Sequence, residues 1–294
     1  MKNYPVAVFC YKRLEHLQRT LHALASNHGA EHTDVIIFSD AARSDIEKND
    51  VENVRRYVET LTDFKSVTLI KHMQNKGLKK SITEGVSEVC RNFGAAIVLE
   101  DDIETAPYFL TYMNECLEQY ADNREVLAVS GFSYIDRKVD GTYFISQPLC
   151  WGWATWQDRW EEYKTATSGE FDLSRDEIKR LNYGGGFNYY QQYKLNKSGH
   201  LNSWYIFWYL HAFSAGRVTI YPNRSLCRNL GFDGSGTNSG KGVDYNSLLF
   251  DGKIRVQKLP TLPDKEAYLQ IERRLKKLKP SIFSRILKRL TKST

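Results

Sequence analysis

The sequence has no pair of cysteines at CxxC spacing. Its five cysteines, Cys10, Cys90, Cys116, Cys150 and Cys227, are scattered and odd in number. A thiolate metal site and a disulfide framework are therefore not expected, and a reducing cytoplasm fits best. No apolar run is long enough to cross a bilayer. The opening MKNYPVAVFCYKR lacks the longer apolar core and small-residue cleavage site of a secretion signal. Internal repeats and low-complexity stretches are also missing. Acidic side chains are missing from one region only. Residues 273–294 hold nine basic side chains and no acidic one. Against a chain total of +6, the rest is slightly negative. The body therefore does not read as a nucleic-acid-coating protein.

What is present is a chain of 294 residues with 41% hydrophobic side chains, enough for a sizeable core. Compact apolar runs at 6–11, 35–38, 67–70, 95–99 and 126–129 read as strands. Between them lie helical stripes: Leu14, Leu17, Leu21 and Leu24; Val51, Val54, Val58 and Leu61; Leu78, Ile82, Val86 and Val89; and a helix from near Pro107 to about Tyr120. This alternation predicts an α/β fold, a mostly parallel sheet with helices on both faces and strands covered on both sides. Beyond residue 140 the alternation stops. Residues 144–165 are aromatic-rich, 166–200 polar and 202–222 apolar and aromatic, while 231–242 read as a glycine-rich loop. The expected division is a first half (1–135), a second half of the same domain (136–262), and a basic tail (263–294).

In parallel sheets ligands bind beyond the carboxyl ends of the strands. Arg13, Asp40 and the run Glu100-Asp101-Asp102 all fall just past an expected strand end. Carboxylates there suit Mg2+ or Mn2+, which prefer oxygen ligands and keep positions open for phosphates. The plainer account is an acidic cluster at a helix N-terminus. Arg13 and Asp40 can read the donor and acceptor edges of a base such as uracil, or can be surface ion-pair residues.

The segment AIVLEDDIETAPYFLTYM, residues 96–113, resembles the metal-binding segment of GT-A fold glycosyltransferases. It is most like the N-acetylglucosaminyltransferase I type and related bacterial, family-2-like sugar transferases. The resemblance runs from about residue 5 to residue 250 and implies a GT-A (Rossmann-like) fold with acceptor-side loops, its nucleotide-sugar-binding half at 1–135 and its acceptor-binding and catalytic half at 136–262. It implies that Asp102 contacts the metal, with Glu100 and Asp101 contacting the nucleotide or supporting the site. It places Arg13 and Asp40 on uridine, Asn75 of Asn75-Lys76-Gly77-Leu78 near the diphosphate, and Trp151 and Trp153 over the sugars. Trp156 and Trp160 are expected in the core.

The same resemblance puts a catalytic Asp directly after a Trp, but here Tyr205 follows Trp204. A tyrosine of ordinary pKa is a poor base. Asp233 in GFDGSGTN is the first substitute, because glycines let an acid reach over a ligand, although an Asx turn is an equal account. Asp158 and Glu161 are the alternatives, with His200 behind them.

Residues 281–292, SIFSRILKRLTK, place five apolar residues on one helical face with basic residues around it. Such a helix can lie on an anionic membrane surface. The expectation is a metal-dependent glycosyltransferase, inverting by resemblance only. It would move a sugar from a UDP-sugar to a glycan or lipid-linked acceptor in surface polysaccharide synthesis. It would sit at the inner face of the plasma membrane, with a homodimer left open. A nucleotidyltransferase is the rival enzyme, although FCYKRLEHL carries no phosphate-loop glycine. A nucleotide-sugar-binding protein without catalysis is the other rival.

Overall fold

The computed structural model describes residues 2–167, 169–233 and 245–278. The stretch 281–292 and the glycine-rich residues 234–242 lie outside the described residues. The first third alternates as the apolar pattern predicts. Strand β1 (Val6–Cys10) leads to helix α1 (Leu14–Ala25), β2 (Asp34–Ser39) to α2 (Lys48–Val58), and β3 (Ser66–Lys71) to α3 (Gly77–Phe93). Strand β4 (Ala95–Glu100) follows. Leu17, Leu21 and Leu24 of α1 and the valine stripe of α2 are buried against the sheet, although Leu14 is half-buried and Leu61 lies past the end of α2. Next come β5 (Ile103–Thr105), α4 (Phe109–Gln119), β6 (Val126–Ser130) and β7 (Thr142–Ile145).

The second half contributes β8 (Trp153–Trp156), α5 (Gln157–Ala166), α6 (Arg175–Leu181), α7 (Tyr189–Lys197) and α8 (Tyr205–Ser214). It ends with β9 (Val218–Pro222), β10 (Cys227–Asn229) and α9 (Lys265–Leu278). Eight strands form one mixed α/β sheet in the order β3-β2-β1-β4-β8-β6-β9-β7. Six run in one direction, while β7 and β8 run against it. The expectation that every strand of the first half is covered on both faces fails at β3. It is the sheet edge, and its residues alternate between exposed and half-buried.

Strand order places the site. The chain steps outward from β1 through β2 to β3, then returns to the other side of β1 as β4. The crevice at such a reversal is where open α/β sheets bind ligands. A small antiparallel pair, β5 with β10, lies just beyond it and sets Asn229 opposite Ile103. No described helix is long and apolar enough to cross a membrane. Helix α9, inside the expected tail, buries Ala267, Ile271 and Leu275 against the body.

Candidate active site

The loop after β1 and the loop after β4 meet at the reversal point, with Phe9 in register with Glu100. Arg13, at the entry to α1, lies across the acids. Its Nη2 donates to Asp101 Oδ1 and, at 2.9 Å, to Asp102 Oδ2, and its Nε lies 3.4 Å from Asp101 Oδ2. Asp101 and Asp102 are only 4% and 5% exposed. Taking carboxylates out of water is costly, so a buried pair of this kind needs its counter-charge. Burial pushes the Asp101 carboxyl up to about 6 despite the pull of Arg13. Burial, followed by repulsion from Asp102 and Asp101, pushes Glu100 up to about 8. Burial works against the charge on Arg13, but the two aspartates outweigh it and raise its pKa. Thr20, one helical turn into α1 and a half beyond, donates to the Asp101 carbonyl at 2.9 Å.

Among the described residues, two buried polar atoms here have no hydrogen-bond partner, Arg13 Nη1 and Asp102 Oδ1. Among the described residues no group of three or more His, Cys, Asp or Glu side chains is arranged to hold a metal. The donor set still fits a hard divalent cation that takes one protein oxygen and completes its shell from phosphates and water. Asp102 Oδ1 is the oxygen free for that purpose.

The segment after β10 closes over this acid. Leu230 N donates to the Asp102 carbonyl at 2.7 Å. A Cβ at Gly231 would stand 2.4 Å from Asp102 Oδ2, so only glycine fits there. Two residues on, Asp233 is half-exposed and its Oδ2 lies 3.1 Å from His16 Nε2. His16 was not legible as a site residue. A signal did exist: it stands three residues after Arg13, and residues at that spacing share a helix face.

Of the expected base-reading pair, Arg13 is at the acids, but Asp40 is turned elsewhere. Asp40 Oδ1 accepts from the amides of Ala41 at 2.9 Å and Lys76 at 2.8 Å, and Oδ2 from that of Gly77 at 2.8 Å. Its carboxylate therefore ties the loop after β2 to the start of α3. Asn75 joins the same tie, donating to the Ala41 carbonyl at 2.6 Å and accepting from Arg43.

The tryptophan segment divides differently from expectation. Trp151 is half-buried, edge-on to Phe132 and Phe232, and its carbonyl accepts from the Cys227 thiol. Gly152 follows at φ +61°, a left-handed conformation, with Cys227 Sγ 3.0 Å from where a Cβ would stand. Trp153 does not face the crevice. It is a strand residue, 1% exposed, stacked on Trp204 and packed against Trp160 and Trp208. Trp156 and Trp160 are buried in the core.

Asp158 and Glu161 are also corrected. Because β8 runs antiparallel to β4, Trp156 pairs with Ala95, the first residue of β4. Helix α5 therefore starts at the opposite end of the sheet from Asp102, about 20 Å away along β4. There Asp158 is ion-paired with Arg124 and Arg159, and Glu161 bonds Gln157. His200 is exposed and bonds Ser198 of its own turn. Tyr205 accepts from Gln147 Nε2 at 2.7 Å, and burial raises its phenol pKa well above the ordinary value, so it keeps its proton.

No family model matches the sequence, and the comparison with curated proteins finds no match. Among solved structures, the chain is similar to a mannosyltransferase from Pyrobaculum calidifontis in complex with GDP-Man and Mn2+. Identity is 14%, the match covers 73% of this chain and 74% of that one, and the TM-score is 0.40. It is also similar to S. aureus TarS in complex with UDP, at 13% identity, 48% of this chain, 36% of that one and TM-score 0.34. A second S. aureus TarS structure gives 11% identity, 55% and 30% coverage and TM-score 0.36. The match spans roughly a third of each TarS chain.

Proposed function

We propose that this chain is a glycosyltransferase that takes a sugar from a nucleotide-diphosphate donor and passes it to a carbohydrate or lipid-linked glycan acceptor. The observation that carries the reading is Asp102 Oδ1, unpartnered among the described residues and buried beside Arg13 at the strand-order reversal. A parallel sheet offers a ligand its crevice there, and this crevice presents one free carboxylate oxygen next to a fixed guanidinium. That pairing suits a diphosphate and its counter-ion. Asp102 would hold Mn2+ or Mg2+, with Glu100 and Asp101 beside it. When bound, the ion would neutralise charge building on the departing nucleotide diphosphate.

The remaining roles follow from placement. Arg13 holds the two aspartates in position and supplies positive charge to the diphosphate. Asp40 frames the nucleotide side by pinning the backbone of 75–77, and does not itself read the base. UDP as the nucleotide rests on the resemblance of residues 96–113. Trp151 offers an indole to a sugar ring. Asp233, next to the acids through Gly231 and within reach of His16, is the base that takes the acceptor hydroxyl's proton. Inversion of the anomeric centre accords with one such base.

The test is turnover of a panel of UDP- and GDP-sugars with Mn2+, alongside calorimetric binding of UDP and GDP. Release of a nucleoside diphosphate that requires the metal and disappears in Asp102→Asn supports the reading. UDP binding without turnover of any donor would leave a binding protein, the rival that Tyr205 keeps open. A lipid-linked acceptor rests on the sequence of residues 281–292. Co-sedimentation with anionic vesicles, with and without 279–294, tests it, and equal binding by both forms would remove it.

A further inference from the structure

Helix α9 does more than cover the sheet. Ala267, Ile271 and Leu275 face the body, and Arg274 reaches the segments at Tyr134 and at 245–247. Arg274 Nη1 donates to the Tyr134 carbonyl at 2.6 Å and to Ser247 Oγ at 3.1 Å. Its Nη2 donates to the carbonyls of Tyr245, at 3.1 Å, and Asn246. Ser247 Oγ in turn donates to the Ser133 carbonyl at 2.6 Å. One guanidinium thus fastens three consecutive residues, 245–247, to the segment after β6.

Asn246 then acts as a strand substitute for Asn229. Its Oδ1 accepts from Asn229 N at 2.7 Å, and its Nδ2 donates to Asn229 O at 2.7 Å. Asn229 Oδ1 accepts from Gly231 N at 2.6 Å. Leu230 N, between them, is bonded to the Asp102 carbonyl. The connection therefore runs from Arg274 to Asn246, from the Asn246 side chain to the Asn229 backbone, and from the next residue's amide, Leu230 N, to the carbonyl of Asp102. Asp233 stands two residues further along the same segment.

Resting on the proposed glycosyltransferase reading, we infer that Arg274 is a positioning residue for the acid site. It holds residues 229–233 against Asp102 and so sets where Asp233 stands. The four acceptors named are three backbone carbonyls and a hydroxyl, spread over two segments. A planar fork of five N–H donors spans them, whereas a lysine ammonium does not.

The test uses the full-length chain and four variants: Arg274→Gln, Arg274→Lys, Asn246→Ala and the double variant Arg274→Gln/Asn246→Ala. Arg137→Gln is the control, because it cuts a different tether, the 2.7 Å pair with Asp264 at the start of α9, without touching 245–247. Hydrogen exchange of a peptide covering 227–233 comes first and does not depend on catalysis. Arg274→Gln, Arg274→Lys and Asn246→Ala should each speed exchange at Leu230 and Gly231, and Arg137→Gln should not. Turnover comes second. Each bracket variant should lower kcat about tenfold, as small misplacements of reacting groups do. UDP affinity should stay within about twofold. The double variant should be no worse than Arg274→Gln, because both act through one connection. Unchanged exchange at 230–231 in Arg274→Gln overturns the inference. So does an Arg137→Gln chain that loses kcat as much as Arg274→Gln does. Multiplying losses in the double variant do the same. If the wild type turns over no donor while the exchange pattern holds, the functional reading fails and the bracket stands.

Discussion

The two halves of the sheet are built by different rules. From β1 to β4, each strand pairs in parallel with a near neighbour in the chain, and the connecting helices carry one apolar stripe each. From β6 onward, two antiparallel strands are inserted, and β8 reaches back to separate β4 from β6. The first half presents the acids and Arg13. The second half supplies what packs over them: Gly231, Asp233 and the bracket from α9. The proposed binding chemistry therefore sits where the chain is locally simple, and its proposed positioning comes from where the chain is not.

That contrast is most sharply broken at the junction of the halves. Asp102→Asn should lower turnover by about 10²–10³, the size of losing one fixed charge at a reacting centre, with the fold intact by circular dichroism. Gly231→Ala should do nearly as much, since its methyl group would collide with the same carboxylate. Retained activity in both would dissociate the acid from the chemistry.

The tryptophans separate the halves next. Trp153→Ala should cost about 3–5 kcal/mol in denaturant unfolding, because it empties the centre of an aromatic core. Trp151→Ala should leave stability within about 1 kcal/mol and raise KM for donor or acceptor severalfold. Equal stability losses would mean that the segment has one role.

Smaller still is the effect on turnover expected at the far end of the sheet. Asp158→Asn and Glu161→Gln should leave kcat within about twofold, while Asp158→Asn should lower stability, because it takes the carboxylate away from the buried Arg159 guanidinium. A large kcat loss would return one of them to the site.

The mildest effect is on α9. Burial alone would raise the Asp264 pKa, but the Arg137 hydrogen bond and the Ala267 amide outweigh it and hold it below the ordinary value. Its contribution is therefore present above the unfolded carboxylate range and lost as pH falls through the lowered folded value. Exchange at the start of α9 should rise below about pH 4, and Asp264→Asn should abolish that dependence.

The acids, Arg13 and the four parallel strands of the first half were legible because period and strand-end chemistry are local properties. Trp153 was misread because β8 is four residues long and does not alternate. Asp158 and Glu161 were misplaced because closeness in sequence to Trp151 does not say which end of an antiparallel strand comes next. Asp40 was found as a strand-end acid, but not what it holds, since the amides of 76 and 77 are brought to it by tertiary structure. Arg274 was counted with a basic tail, and only the folded chain shows it clamped to 245–247.

The insertion of β8 has a consequence for how the chain is made. Strand β4, which carries the acids, has β1 on one side and β8 on the other. During synthesis the residues of β8 emerge after more than half of the chain, so the apolar edge at Ala96, Ile97 and Val98 waits uncovered. An open edge of that kind is a template for another strand. A fragment ending near residue 125 would therefore keep the acids and Arg13 yet be prone to pair with its own copies. The late strand acts as a built-in guard for the early one.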